Sequence, residues 1–164
     1  MTRMIYPINL TPDAVDGGFT VTCRDFPEAI TQGETVVEAV VEASDAIEEA
    51  IASRMKRNEE IPEPSNKKQG EYMATVPLST SLKAALYMAM REDGISKSEL
   101  ARRMAIDEKE VRRMLDPRHP SKTPGMERAL SCLGGRLLRN LQRRLNSRTG
   151  KRPLPPSPII NPHC

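Results

Sequence analysis

Ser96-Lys-Ser-Glu-Leu-Ala-Arg-Arg-Met-Ala-Ile-Asp-Glu-Lys-Glu-Val-Arg-Arg-Met-Leu115 reads as two short amphipathic helices joined by a tight turn, the second of them basic. Ala101 falls where two crossing helices come closest and little more than a methyl fits. Leu100, Met104, Ile106, Val111 and Leu115 are spaced to form the seam beneath them. This is the pattern of a helix-turn-helix. Once the apolar positions are assigned to packing, the second helix still exposes Glu108, Lys109, Arg112 and Arg113, a set able to reach base edges and phosphates if that helix enters the major groove. The rival reading is a solvated basic helix in an ordinary bundle. Spacing and charge together favour DNA binding.

The rest of the chain divides around this segment by charge. Residues 1–79 carry 7 Lys and Arg against 14 Asp and Glu, net −7, and residues 80–164 carry 18 against 8, net +10, which together give the overall +3. A polyphosphate attracts the second part and repels the first, so nucleic acid is expected at the C-terminal part and a basic protein at the N-terminal one. At 164 residues the chain has room for two small domains. The expected division is 1–79, 80–145 and a tail 146–164, whose five prolines preclude regular structure and predict disorder. Arg148, Lys151 and Arg152 in that tail add a general attraction for phosphate.

An α+β chain is predicted. Met4 to Thr11 is strand-like, and Gly17-Gly18 leads into a second alternating strand, Phe19 to Cys23. Pro7 has no amide donor, so the first strand should show an edge or irregularity there. A short third strand, Ala29 to Gln32, stops at Gly33. Thr35-Val-Val-Glu38 is a capping box opening a helix to about Arg57. Val36, Val40, Ala43, Ile47, Ala50 and Ile51 are expected on its sheet-facing side. Glu38, Glu42, Asp45 and Glu49 line another face, with no Lys or Arg four residues away, and form a candidate docking stripe for a cationic partner. Ile61 to Gly70 reads as a linker or long loop and Tyr72 to Leu78 as a fourth strand. From Ser81 the period turns helical, with a helix ended by Gly94, the two helices quoted above, helical turns from Met126 to Leu133, and a last helix from Arg136 to Leu145.

Chemistry is hard to find in this pattern. Asp13, Asp16, Asp25 and Glu28 have no partner that spacing would bring together, and no phosphate-cradling loop, serine elbow or N-terminal histidine is present. Cys23, Cys132 and Cys164 lack the close pairs of a zinc or redox motif, and His119 and His163 sit in proline-flanked segments. No enzyme, catalytic residue, metal or cofactor is expected. No run resembles a signal peptide or a membrane span, so the expected location is the cytoplasm.

Phe26-Pro-Glu-Ala-Ile-Thr-Gln-Gly-Glu-Thr35, followed by Glu38-Ala39, resembles the HicB antitoxin family. Leu82-Lys-Ala-Ala-Leu-Tyr87, Ile95 to Met104 and Val111-Arg-Arg-Met-Leu-Asp-Pro-Arg-His119 are similar to members bearing a Cro/repressor-like domain. The two patterns, in this order, cover about Met4 to Leu138. The resemblance implies a βββαβ, partial ribonuclease H-like N-terminal domain that binds a small basic HicA toxin and blocks its cleavage of messenger RNA. It also implies an all-α helix-turn-helix domain through which the complex represses its own promoter. Toxin contacts in the family lie on the N-terminal domain. Asp25, Phe26, Pro27 and the Glu38, Glu42, Asp45 and Glu49 stripe are the candidates here. Alignment on the small residue and seam places Lys97 and Ser98 at a phosphate-clamping helix start, and Glu108, Lys109, Arg112 and Arg113 at reading positions. Ala105 stands where the wider fold usually has glycine, so it must either accept a left-handed backbone or shift the turn. Glu108 would face phosphates unless it accepts a hydrogen bond from cytosine.

The expected function is therefore an antitoxin and autorepressor. Its partners would be a HicA-like toxin, double-stranded operator DNA, and a second copy or more of itself, because one small reader spans too few base pairs. Leu130, Leu133, Leu137 and Leu141 are the candidate dimer contact. A free-standing transcriptional regulator with an N-terminal ligand sensor is the alternative. An RNA-processing enzyme is a third reading and would need a metal-dependent activity.

Overall fold

Two glycines close the first hairpin. Gly17 and Gly18 sit at φ +77° and +74°, and a Cβ on Gly18 would lie 2.6 Å from the Gly33 carbonyl oxygen, so this turn accepts no side chain there. It joins β1 (Ile5–Pro12) to β2 (Phe19–Cys23), paired antiparallel from Ile8 with Cys23 to Pro12 with Phe19. β3 (Ile30–Gly33) pairs with β2, and β4 (Tyr72–Thr75) with the other side of β1, giving the antiparallel order β3-β2-β1-β4.

Pro7 explains where one ladder stops. The Val76 amide donates to the Met4 carbonyl at 2.9 Å, so in β1 the alternate residues Met4, Tyr6 and Ile8 turn their backbone groups to β4 and Pro7 turns to the β2 side. The β1–β2 pairing begins only at Ile8, because the next bond would need the amide that Pro7 lacks.

α1 (Val36–Arg57) crosses from one edge of the sheet to the other and lies against all four strands. Thr35 caps it, with Oγ1 accepting from the Glu38 amide at 3.2 Å. Glu38 reaches back to the amide of Glu34 (3.1 Å), one residue earlier than a standard capping box. Its buried residues are Ala39, Ala43, Ile47, Ala50, Ile51 and Met55. Val36 and Val40, expected on this face, are only half-buried. The reason is a close approach at the helix start, where a Cβ on Gly33 would lie 2.5 Å from the Ala39 amide nitrogen. A valine cannot occupy that point, so Ala39 takes it and the packed face rotates accordingly. Beneath it, Tyr6 and Phe26 meet edge to face at 4.9 Å, with Ile8, Val21 and Ala74 fully buried around them. The opposite sheet face is mixed: Asn9, Thr11, Thr20, Thr22, Gln32 and Thr75 are exposed, as is Ile30, while Pro7 is buried and Ile5 and Met73 are half-buried.

The computed structural model describes residues 4–120 and 124–133. These fall into two compact units, residues 4–85 with Asp116–Arg118 and residues 86–115 with 119–120 and 124–133. The chain is α+β. β4 is shorter than expected and α2 (Leu78–Asp93) starts earlier, because Pro77 ends the strand and its carbonyl accepts the first helical bond, from Ser81 at 2.9 Å. The segment from Ile61 to Gly70 has no regular structure, yet it is not a free linker. Ile61 is buried, and Pro62 accepts from the Tyr6 hydroxyl at 2.8 Å.

In the second unit α2 ends at Gly94 (φ +63°), and α3 (Lys97–Met104) is capped by Ser96. A three-residue turn leads to α4 (Glu108–Leu115), and residues 124–133 are helical. Leu100, Ala101, Met104, Val111 and Leu115 are buried and Ile106 is half-buried, so the seam forms as spaced. Met126, Ala129 and Leu133 are also buried. Ala105 takes the left-handed backbone, φ +54° and ψ +45°. The expected helix at 136–145, Leu137, Leu141 and the tail 146–164 lie outside the described residues.

Candidate functional site

Two surfaces carry the candidate residues, one on each unit. The first is the outward side of α1. At about 100° per residue, Glu38, Glu42, Asp45 and Glu49 fall within about 60° of one another, opposite the buried face. All four are exposed. Among the described residues Glu42 and Asp45 have no ion-pair partner, while Glu49 meets Arg118 at 3.2 Å. Sequence spacing had left Glu49 without a cation, and the compensating charge comes from 69 positions away.

Two valines missed by the sequence reading flank this stripe. Val37 is 76% and Val41 55% exposed, one helical turn apart. Val15, Ile30, Tyr72 and Leu78 are the other large apolar side chains exposed among the described residues, and Val37 and Val41 differ from them in being bordered by the carboxylate stripe. The available signal was their position: Val37 and Val41 belong neither to the packed set nor to the acidic one.

The other toxin-contact candidates behave differently. Phe26 has no exposed surface: it packs on Tyr6 and lies under the Arg54 guanidinium, 4.9 Å from its ring centre. It therefore has no surface to offer a partner, and its role is in the core. Asp25 is committed to the Ile61–Gly70 segment, accepting from the Ser65 amide at 2.9 Å and from the Ser65 hydroxyl. Pro27 is exposed. Arg54 also grips Glu28 through Nε (2.6 Å) and Nη2 (3.0 Å) and donates to the Glu60 carbonyl (3.0 Å). The guanidinium holds the Glu28 carboxyl below its usual range. Arg24, bonded to Glu71 and the Asn66 carbonyl, completes this set of anchors.

The second surface is formed by α3 and α4. Lys97 and Ser98 open α3, and Glu108 and Lys109 open α4. Asp107 precedes α4 and accepts from the Lys109 amide at 2.6 Å, so the helix start is capped. Lys97, Lys109 and Arg113 are exposed with no ion-pair partner among the described residues. Glu108 accepts from Ser98 Oγ at 2.6 Å and from Arg112 Nε at 2.9 Å. Those two hydrogen bonds keep its carboxyl ionised, below the ordinary glutamate range. On α3, Glu99 similarly holds Arg103 and Arg102, each at 2.8 Å. The structure thus joins Ser98, Glu108 and Arg112 in one network and leaves Lys97, Lys109 and Arg113 outside it.

Among the described residues no group of three or more His, Cys, Asp or Glu side chains is placed to hold a metal ion. Nor is any described helix long and apolar enough to cross a membrane.

Comparison with known proteins shows what this arrangement is similar to. Residues 5–85 match the family described as HicB-like antitoxin of bacterial toxin-antitoxin systems. An Escherichia coli K12 protein named Antitoxin HicB is 40% identical over 134 residues, covering 82% of this chain and 96% of the relative. Antitoxin HicB 1 of Photorhabdus laumondii is 35% identical over 140 residues, covering 85% and 88%. Antitoxin HicB of Pseudomonas fluorescens is 33% identical over 127 residues, covering 77% and 87%.

Proposed function

This chain belongs to the HicB-like antitoxin family, and from that premise we propose that it neutralises a small HicA-like messenger-cleaving toxin by direct binding and represses its own operon by binding operator DNA. Toxin binding is assigned to residues 1–79, read as a partial ribonuclease H-like domain on its strand-strand-strand-helix-strand order. DNA binding is assigned to residues 80–145, read as a helix-turn-helix domain. No catalysis is assigned to the chain itself, and it works as a dimer or higher oligomer in the cytoplasm.

The observation that carries the toxin-binding reading is the outward side of α1, where Glu42 and Asp45, without an ion-pair partner among the described residues, lie beside exposed Val37 and Val41. A basic ribonuclease uses cationic side chains to hold RNA, and a carboxylate-rich face with apolar contacts competes for the same groups. Glu38, Glu42, Asp45 and Glu49 supply the charge, and Pro27 is the exposed member of the neighbouring loop. The DNA reading is supported by two short helices across a three-residue turn, with Lys97, Ser98, Lys109, Arg112 and Arg113 at the helix starts and outer face.

Growth of cells expressing the small reading frame adjacent to this gene tests the first half. That frame alone should arrest growth and deplete messenger RNA, and co-expression of this chain should restore both. A frame whose toxicity is untouched by this chain overturns the antitoxin reading. A shift of the gene's own upstream fragment by purified chain, absent with an unrelated fragment at the same salt, tests the second half.

A further inference from the structure

Glu108 occupies an unexpected place for an acid, at the start of the helix assigned to the DNA groove. Its two carboxylate oxygens are separately engaged. Oε2 accepts from Ser98 Oγ of α3 at 2.6 Å, and Oε1 accepts from Nε and Nη2 of Arg112, one turn further along α4, at 2.9 and 2.5 Å. Arg112 remains largely exposed, its side chain 67% accessible against 34% for Glu108.

We propose that Glu108 is a positioning residue that fixes Arg112 as a reader of guanine and does not itself contact a base. The proposal rests on the DNA-binding reading above and specifies how that surface obtains sequence preference. A guanidinium has five N–H donors in one plane, and Glu108 takes Nε and one hydrogen of Nη2. Three donors remain, including those at the Nη1–Nη2 end, the pair whose spacing fits guanine O6 and N7. Because the carboxylate is anchored to Ser98, the plane of the Arg112 fork is referenced to the first turn of α3, where Lys97 lies. An arginine held in this way loses less rotamer freedom on binding. The arrangement also has an electrostatic cost, since a carboxylate near phosphates lowers affinity for every sequence alike. Glu108 therefore exchanges general affinity for discrimination. Arg113, adjacent but without such a partner among the described residues, serves phosphate attraction.

The test uses full-length protein and a duplex selected by it from a randomised library. Binding is then measured to that duplex, to its single-base-pair variants and to an unrelated duplex, for the wild type, Glu108→Ala, Glu108→Gln, Ser98→Ala and Arg112→Ala. Wild type should discriminate by about 5- to 150-fold at one guanine, and Arg112→Ala should lose preference at that base pair alone. Glu108→Ala should lose it at the same base pair while binding the unrelated duplex as tightly as wild type or more tightly. Glu108→Gln, which keeps an acceptor oxygen, should retain most of the preference, and Ser98→Ala should lose part of it. Loss of preference at a different base pair in Glu108→Ala would make Glu108 a reader in its own right and overturn the proposal. So would an unchanged guanine preference in Glu108→Ala, or unchanged preferences throughout in Arg112→Ala, with DNA binding itself intact. Failure of the wild type to select any duplex removes the DNA reading and this inference with it.

Discussion

Three left-handed residues end three of the helices in the same way. After α1, Asn58 (φ +57°) bonds back to the Met55 carbonyl and Glu59 to the Arg54 carbonyl. After α2, Gly94 and Ile95 bond to Arg91 and Met90, and after α3, Ala105 and Ile106 bond to Arg102 and Ala101. All three are Schellman closures, and glycine or asparagine is the usual residue at their turning point. Of the three, only Ala105 carries a Cβ without a short polar side chain to offset the left-handed backbone. It is exposed, so Ala105→Gly removes no packing and should raise stability by about 0.5–1 kcal/mol, read from the urea midpoint at unchanged slope. At the same scale, Glu28 gives a pH prediction. Its carboxyl is depressed in the folded state, so the stability it contributes is fully present above its unfolded pKa and is lost as pH falls through the lower folded value. Glu28→Gln should therefore flatten the acid side of the stability profile, measured by denaturation across acidic pH. Neither Asp25 nor Phe26 was legible as structural. Their anchors, Ser65 and Arg54, are 40 and 28 positions away in a chain whose spacing patterns report only neighbours within a helical turn or a hairpin.

Elements were easier to read where period and punctuation agree. β2, α1, α3 and α4 follow directly from alternation, a threonine cap, a small residue at a crossing and an apolar seam. The β4–α2 boundary was not legible, because Tyr72 to Leu78 alternates like a strand and Pro77 ends one element and begins another. The packed face of α1 was misplaced by the valines for a related reason. Hydrophobicity alone selects Val36 and Val40, whereas the approach of Gly33 to Ala39 demands the smallest side chain. A methyl group at position 33 would push α1 off β3, so Gly33→Ala should cost about 1–3 kcal/mol by overpacking. Thermal unfolding followed by circular dichroism checks this, and an unchanged melting temperature would show that the helix start yields without penalty. The outward acid-and-valine side of α1 was half legible, its carboxylates from periodicity and its valines only by exclusion from the core.

Charge is arranged over the whole chain, 7 Lys and Arg against 14 Asp and Glu in residues 1–79 and 18 against 8 in residues 80–164. Under the proposed function, such a division offers the acidic part to a cationic partner and the basic part to a polyphosphate. Both complexes should weaken with salt. For DNA, the logarithm of affinity should fall linearly with the logarithm of salt, and removing one phosphate contact with Arg113→Ala should lower that slope by about one. The protein complex should be less sensitive, since contacts made through the exposed Val37 and Val41 would not be screened by salt. The most direct test of this division of labour is co-purification of the chain with the untagged product of its neighbouring reading frame, for the wild type and for Glu42→Lys/Asp45→Lys. The account predicts that a small basic protein accompanies the wild type and is lost from the charge-reversed variant, while both shift the upstream DNA fragment. Recovery of no companion with the wild type, or its undiminished retention by the variant, would contradict it.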